Sequence, residues 1–449
     1  MTFDDEQIPV LKPFRRFVWG TVAASLVAIA GLLTFSILVD PYWLFNSPQI
    51  EGFNEEKIAL GKSTRSVKPQ IMFWDRPEIA IVGGSSAEAG FDPDHPSVNV
   101  KTFNFALGGG RMNEAVAVLE FAAELGTKRA IITLDFQRFH ADRRPGQLER
   151  GFGDEFTAGF WGNSGWLLPS LRLTIGADAL IDAFATVTSQ TPPKAHEEIR
   201  NRARIDVPGK IMRNGLRDPE FAVALAEGLG GPYQAFEKSA VGRAENGWFR
   251  DPCRVWRFEN AQGVRPGFDY VQDMIDTARI HEMDVVFVIP PTHALIPDLL
   301  QELELYGEFE TWKRDLVAML EADAQRHDYQ SYPLYDFGVV TNRTMAAVPK
   351  PTDVTPIADF TDPLHFRPSL GGVVLDRLFS GASDDLTPGS FGHLLASATV
   401  EQHLDVSRAA VVGLREHRNP AWQAIVDHAL QKNVIWRESA ESTQECAKP

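Results

Sequence analysis

The chain has 449 residues, 44% of them hydrophobic, with 29 Pro and 35 Gly: one large globular domain with appendages, or two domains. A formal net charge of −16 argues against a nucleic-acid partner, because backbone binding is driven by Lys and Arg. The two cysteines, Cys253 and Cys446, form no Cys-x-x-Cys, so no structural metal is expected, although an oxidising compartment would permit one disulfide.

Residues 1–16 carry Lys12, Arg15 and Arg16 ahead of 17–39, which are uncharged throughout. A helix of that length rises about 34 Å, enough to cross a hydrocarbon core of ~30 Å. A cleaved signal peptide is the competing reading, but its apolar region would be shorter, and Asp40-Pro41-Tyr42-Trp43 is not a small-residue cleavage site. The flanking charges predict a cytoplasmic N-terminus, with the bulk of the chain outside, in the periplasm if the source is bacterial. Trp19, Tyr42 and Trp43 stand where interfacial aromatics are expected.

Residues 40–77 read as a polar stem. Strand-like runs then alternate with helical ones over 78–380. Strands are expected at 79–82, 100–105, 130–134, 284–289 and 333–337. Helices are expected at 112–125, 268–281, 309–328 and 368–379. Such alternation predicts βαβ units and a parallel sheet, with chemistry at the carboxyl ends of the strands. Residues 140–265, rich in Trp, Arg and Gly, break the pattern and read as a helical insertion capping the sheet. Residues 381–449 read as a helical extension interrupted at Pro420.

Two short motifs carry chemistry. Gly84-Ser85-Ser86-Ala87-Glu88-Ala89-Gly90 follows the first strand, and Asp362-Pro363-Leu364-His365 precedes the helix at 368–379. A serine hydroxyl becomes a nucleophile when an imidazole takes its proton, and that imidazole needs a carboxylate to fix its tautomer. Ser86 is the candidate nucleophile, ahead of Ser85, with His365 as base and Asp362 as orienter. The plainer alternative is a tight strand-to-helix turn with a serine cap, and a solvated His365 in a turn. Nucleotide motifs fail. Glu56 stands where the loop ending Gly61-Lys62-Ser63 requires glycine, and Gly108-x-Gly110 leads to Asn113 where a dinucleotide fingerprint wants a small residue. No cofactor is expected.

At Gly84-Ser85-Ser86…Gly90 and Asp362-x-x-His365 the chain resembles the SGNH/GDSL hydrolase superfamily. More narrowly, it is similar to a membrane-anchored bacterial branch whose first block reads Gly-Ser-Ser. The resemblance covers about 79–140 and 268–380. It implies a three-layer α/β/α sandwich on a parallel five-stranded sheet, and hydrolysis or transfer of acyl esters, often on cell-surface polysaccharide. It also implies an oxyanion hole made of the nucleophile's own N–H (here Ser86), a glycine of the second block and an asparagine of the third. In this chain Ala106, or Gly108 by displacement, takes the second place, and Asp135 takes the third. An ionised carboxylate cannot donate to an oxyanion, and one lost donor typically costs ~10²–10³ in rate.

The expected function is therefore a membrane-anchored extracytoplasmic esterase or O-acyl(acetyl)transferase acting on an envelope or secreted polysaccharide, with a membrane acyl-donor protein as a further partner. The alternative is an inactive scaffold for glycan binding or envelope assembly, for which Trp161, Trp166, Trp248 and Trp256 would offer stacking surfaces.

Overall fold

The computed structural model describes residues 11–154, 166–190, 211–248, 256–355, 357–379 and 387–441. The first helix, α1 (Leu11–Val39), contains one segment, Phe14–Val39, long and apolar enough to cross a membrane. Its apolar side chains face outward, Phe17 being 71% and Val27 72% exposed, which is how a helix hydrophobic on every side behaves away from a protein core. The helix stops at Asp40, whose φ is +48°. The Asp40 carboxylate accepts the N–H groups of Leu44, Phe45 and Ser47 at 2.7, 3.2 and 3.1 Å, and Lys57 Nζ donates to the Val39 carbonyl at 2.6 Å. The stem is thus a hydrogen-bonded collar, and it leads into α2 (Thr64–Asp75).

The sheet begins with β1 (Ile79–Val82), four apolar residues all buried, as expected of a strand covered on both faces. Short α3 (Ser85–Gly90) follows, then β2 (Thr102–Asn104), α4 (Met112–Glu124) and β3 (Arg129–Thr133). In the middle segment lie α5 (Leu167–Thr174), α6 (Ala177–Thr188), α7 (Pro219–Gly228) and α8 (Pro232–Gly242). Alternation resumes with α9 (Pro266–Ile280), which packs on α4, then β4 (Asp284–Ile289), α10 (Leu295–Glu302), α11 (Tyr306–His327) and β5 (Leu334–Asp336). A two-stranded hairpin, β6 (Phe360–Asp362) and β7 (His365–Phe366), leads into α12 (Pro368–Phe379).

The expected five-stranded sheet is corrected here: it has six strands, in the order β2-β1-β3-β4-β5-β8. The sixth, β8 (His393–Leu395), comes from the extension read as helical and pairs antiparallel to β5, while the other neighbours are parallel. Three residues after the glycine-bounded turn at 389–392 carry too little periodicity to announce a strand. The extension continues through α13 (Val400–Gly413) and α14 (Pro420–Glu441). It is no appendage: Trp422 Nε1 donates to Asp298 at 2.8 Å, and Asn433 Nδ2 donates to the Ala244 carbonyl at 2.6 Å.

The chain leaves β1 to form β2 on one side and returns to form β3 on the other. The crevice at the carboxyl ends of β1 and β3 is therefore a topological switch point, where open α/β sheets place their ligands.

Candidate active site

The Asp362-Pro363-Leu364-His365 motif is the turn of the β6–β7 hairpin. Asp362 Oδ1 accepts the backbone N–H groups of Leu364 and His365 at 2.9 and 3.2 Å and the Ser239 hydroxyl of α8 at 3.2 Å. Oδ2 lies 2.5 Å from His365 Nδ1. Burial pushes this carboxyl up, but the neighbouring His365 and the N–H donors outweigh it and hold the pKa at about 2. The turn is anchored from below by the His293 N–H, which donates to the Pro363 carbonyl at 2.9 Å.

The far nitrogen of the ring, His365 Nε2, lies 2.7 Å from Ser85 Oγ. The serine placed against the imidazole is thus Ser85 and not the expected Ser86. Ser86, expected to meet the imidazole, instead donates its hydroxyl to Asp135 Oδ1 at 3.2 Å. The physical reason is helical: both serines open α3, and successive side chains on a helix turn by about 100°. Ser85 takes the face toward the hairpin and Ser86 the face toward the end of β3. The approach depends on two glycines. A Cβ on Gly90 would stand 2.0 Å from the Phe366 ring of β7, and one on Gly371 would stand 1.8 Å from the Gly90 carbonyl.

Of the expected oxyanion-hole residues, Ser86 and Asp135 meet at the cavity wall, while Ala106 and Gly108 are not among its lining residues. Ala106 is excluded because its N–H donates to Asn104 Oδ1 at 3.0 Å. Gly108 sits against the buried Glu88–Arg217 pair, whose atoms a Cβ would meet at 3.1 Å. Of the same turn it is Gly109, with φ +64°, and Gly110 that line the cavity. Asp135 is an acceptor, not a donor: beyond Ser86 it faces the Arg138 guanidinium, with Oδ2 3.7 Å from Nη1. Glu88 of the first motif is structural, tied to Lys68 Nζ at 3.1 Å and to Arg217. Lys68 and Arg217 together outweigh its burial and keep the Glu88 carboxyl at about 2.

Ser85, Ser86 and His365 open on a cavity of about 280 Å³ whose wall also holds Arg111, Arg138, Arg143 and Arg243. Gln137 fixes two of these, its side chain accepting from Arg243 at 2.6 Å and its carbonyl from Arg143 at 2.7 Å. Sequence reasoning missed the group. Its only trace was the Arg-rich composition of 140–265, since burial of Arg138 is set by the turn after β3. A second, apolar cavity of about 50 Å³ adjoins the first through Asp135, Gln137 and Leu364, and is lined by Phe136, Trp248, Ile289 and Trp312 among others.

Three tryptophans offered for sugar stacking are buried or packed on other rings, Trp248 within the wall of the apolar cavity. Trp166 packs on Trp74 with centroids 4.6 Å apart, Trp256 stacks on Phe136 at 4.1 Å, and Trp248 is 2% exposed. Trp161, Cys253 and Cys446 lie outside the described residues. His293 is a core residue: Nε2 donates to the Ala346 carbonyl at 2.7 Å and Nδ1 accepts the Leu295 N–H at 3.1 Å. Among its described residues, the middle segment reaches the site through Arg143, Ser239 and Arg243. Its α5 and α6 pack instead beside α1, where the rings of Phe35 and Phe184 are 4.8 Å apart.

A serine, an imidazole and a carboxylate connected through opposite ring nitrogens can activate a hydroxyl for attack on an acyl carbon. No protein-family model matches the chain, and comparison with curated proteins finds no match.

Proposed function

We propose that the protein is a serine acyl-ester hydrolase or O-acyltransferase of the SGNH type, with Ser85 as nucleophile, His365 as general base and Asp362 as its orienting carboxylate. The observation that carries this reading is the pair of contacts on one imidazole, 2.7 Å to Ser85 Oγ and 2.5 Å to Asp362. His365 takes the serine proton as Oγ attacks the ester carbonyl, then returns it to the departing alkoxide. The developing oxyanion meets the Ser85 N–H, which the first turn of a helix leaves without an intrahelical partner, and the turn at Gly109. The apolar cavity beside the triad has room for only a few atoms, which favours a short acyl group such as acetyl.

Placement at a membrane surface follows from α1 and from its surroundings. Leu168, Ile181 and Phe184, exposed by 64%, 60% and 53%, extend the apolar surface of α1 onto α5 and α6. The positive flank of α1 favours a cytoplasmic N-terminus and a periplasmic domain, and the resemblance to the SGNH superfamily suggests an envelope polysaccharide as what that domain acts on. A C-terminal export reporter is expected to be active outside the cytoplasm, and activity inside would reverse the topology.

The experiment for the chemistry is labelling of the full chain, in detergent, with an alkyl fluorophosphonate, beside hydrolysis of an aryl acetate. Labelling that disappears in Ser85→Ala supports the reading. An inert wild type would favour the inactive scaffold, for which the acceptor character of Asp135 in an expected donor position already speaks.

A further inference from the structure

Among the described residues, Arg138 is a wall residue of the triad cavity whose guanidinium is deeply buried and whose N–H donors are unpartnered. It is 6% exposed, and among the described residues Nε, Nη1 and Nη2 have no hydrogen-bond partner. Asp135, 3.7 Å from Nη1, is near enough to balance charge and too far to accept a hydrogen bond. A guanidinium presents five N–H donors in a fixed fork, and leaving buried donors without acceptors is costly. Burial accordingly pushes the group below its ordinary pKa, against the pull of Asp135 and Glu114. Arg138 lines the cavity that also holds Ser85 and His365, and a smaller one beside it. A Cβ on Gly84, the residue before Ser85, would be 3.8 Å from Nη1. Arg111, Arg143 and Arg243 share that wall, against the single carboxylate of Asp135, in a chain whose net charge is −16. A cationic pocket in an acidic protein selects for anions by long-range field as well as by contact.

We propose that the substrate handled at Ser85 carries an oxyanionic group, a carboxylate or a phosphate, which Arg138 seats through its unpaired fork. Carboxylates and phosphates both accept from the guanidinium bidentately, and such charge-assisted bonds are about twice as strong as neutral ones. The proposal rests on the Ser85 reading only in naming what the site acts upon. The anion site is a property of the cavity.

The two are separated by measuring binding in a chain that cannot turn over. Full-length Ser85→Ala protein in detergent is titrated calorimetrically with tetragalacturonate, with a tetramer of glycerol phosphate and with neutral cellotetraose. At least one anionic oligomer is expected to bind about 10- to 100-fold more tightly than the neutral one, more weakly as salt rises, and to lose that advantage in Ser85→Ala/Arg138→Met. Which anion wins distinguishes carboxylate from phosphate. Arg138→Lys, which keeps the charge and loses the fork, should fall between, and thermal melting verifies that each variant is folded. Equal binding of all three oligomers overturns the proposal, even where fluorophosphonate labels Ser85. Anion-selective binding by a protein that fluorophosphonate does not label keeps the anion site and removes the hydrolase. If Arg138→Met in the Ser85 protein slows a neutral aryl acetate as much as an anionic one, Arg138 serves the reaction itself and the anchor is overturned.

Discussion

Two Asp–His pairs lie at the carboxyl-end side of this sheet, and they do opposite things. Asp362 and His365 sit in a hairpin turn, 16% and 19% exposed, and the free nitrogen of the imidazole meets a serine at the mouth of a cavity. Asp336 and His403 are joined at 2.9 Å with both side chains at zero exposure, and the third member is Lys313, whose Nζ is 2.5 Å from the same carboxylate. Lys313 also lies 4.2 Å from the centre of the Phe309 ring. Burial works against the charge of Asp336, but Lys313 and His403 overcome it and hold the carboxyl far below its usual range. The first pair presents a ring nitrogen to a hydroxyl at a cavity, as the proposed proton transfer requires, and the second fastens α13 and α11 to the end of β5. An Asp–His contact therefore says nothing about chemistry until its third partner and its access to solvent are known.

The sharpest way to break the comparison is at the serines. Ser85→Ala should lower aryl-acetate hydrolysis by at least about 10⁴-fold and abolish fluorophosphonate labelling, as loss of a triad nucleophile does. Ser86→Ala, which removes only a donor to Asp135, should stay within about 10-fold of wild type. A reversal of these two results would return the nucleophile to Ser86.

The structural pair should fail in stability instead. Lys313→Met leaves the Asp336 carboxylate buried without its cation, a change expected to cost about 3–5 kcal/mol in chemical denaturation. The protein that remains folded should still label at Ser85. Replacing both members, Lys313→Met with Asp336→Leu, should recover much of the loss, because no unpaired charge is left inside. A single variant that melts like wild type would show that this cluster fastens nothing.

The most gradual effect is a pH dependence that belongs to the core and not to the triad. His293 and His393 are both held near a pKa of about 4, first by burial and, for His393, also by the stacked His403 ring 4.5 Å away. Their folded pKa values lie below the ordinary value of about 6.5, so the unfolded chain takes up protons first as the pH falls. The stability these groups contribute is complete above about pH 6.5 and declines as the pH falls toward 4, by up to about 3 kcal/mol for each. Melting temperatures measured across that window should drop, and His393→Gln should flatten part of the slope. Asp336 behaves differently in the same titration: its depressed carboxyl contributes stability throughout this window and loses it only in stronger acid.

Much of the scaffold was legible in the chain. Apolar runs alternating with helical stripes announced β1, β3 and β4, because strands buried on both faces cannot hide their hydrophobicity. The uncharged stretch that becomes α1 was equally plain, since a helix that meets no core must be apolar on every side. Strand β8 was hidden by its length and by its dependence on a partner more than fifty residues upstream.

At the site, residue chemistry named Asp362 and His365 correctly as partners, because a three-residue spacing across a tight turn leaves few other arrangements. It did not resolve Ser85 from Ser86. Both belong to one motif, and only the rotation of α3 against the hairpin, set by the close packing of Gly90, Phe366 and Gly371, decides which hydroxyl faces the imidazole. Nor did it find Arg138, an unremarkable basic residue in a turn until β3 and its neighbours bury it beside the serine. The sequence determined the elements and the reactive groups because hydrophobic period and side-chain chemistry are local properties. Which groups meet, which charges stay unpaired and which Asp–His pair reaches a cavity were decided by tertiary packing, because distances between segments 50 to 280 residues apart are not local properties of any segment.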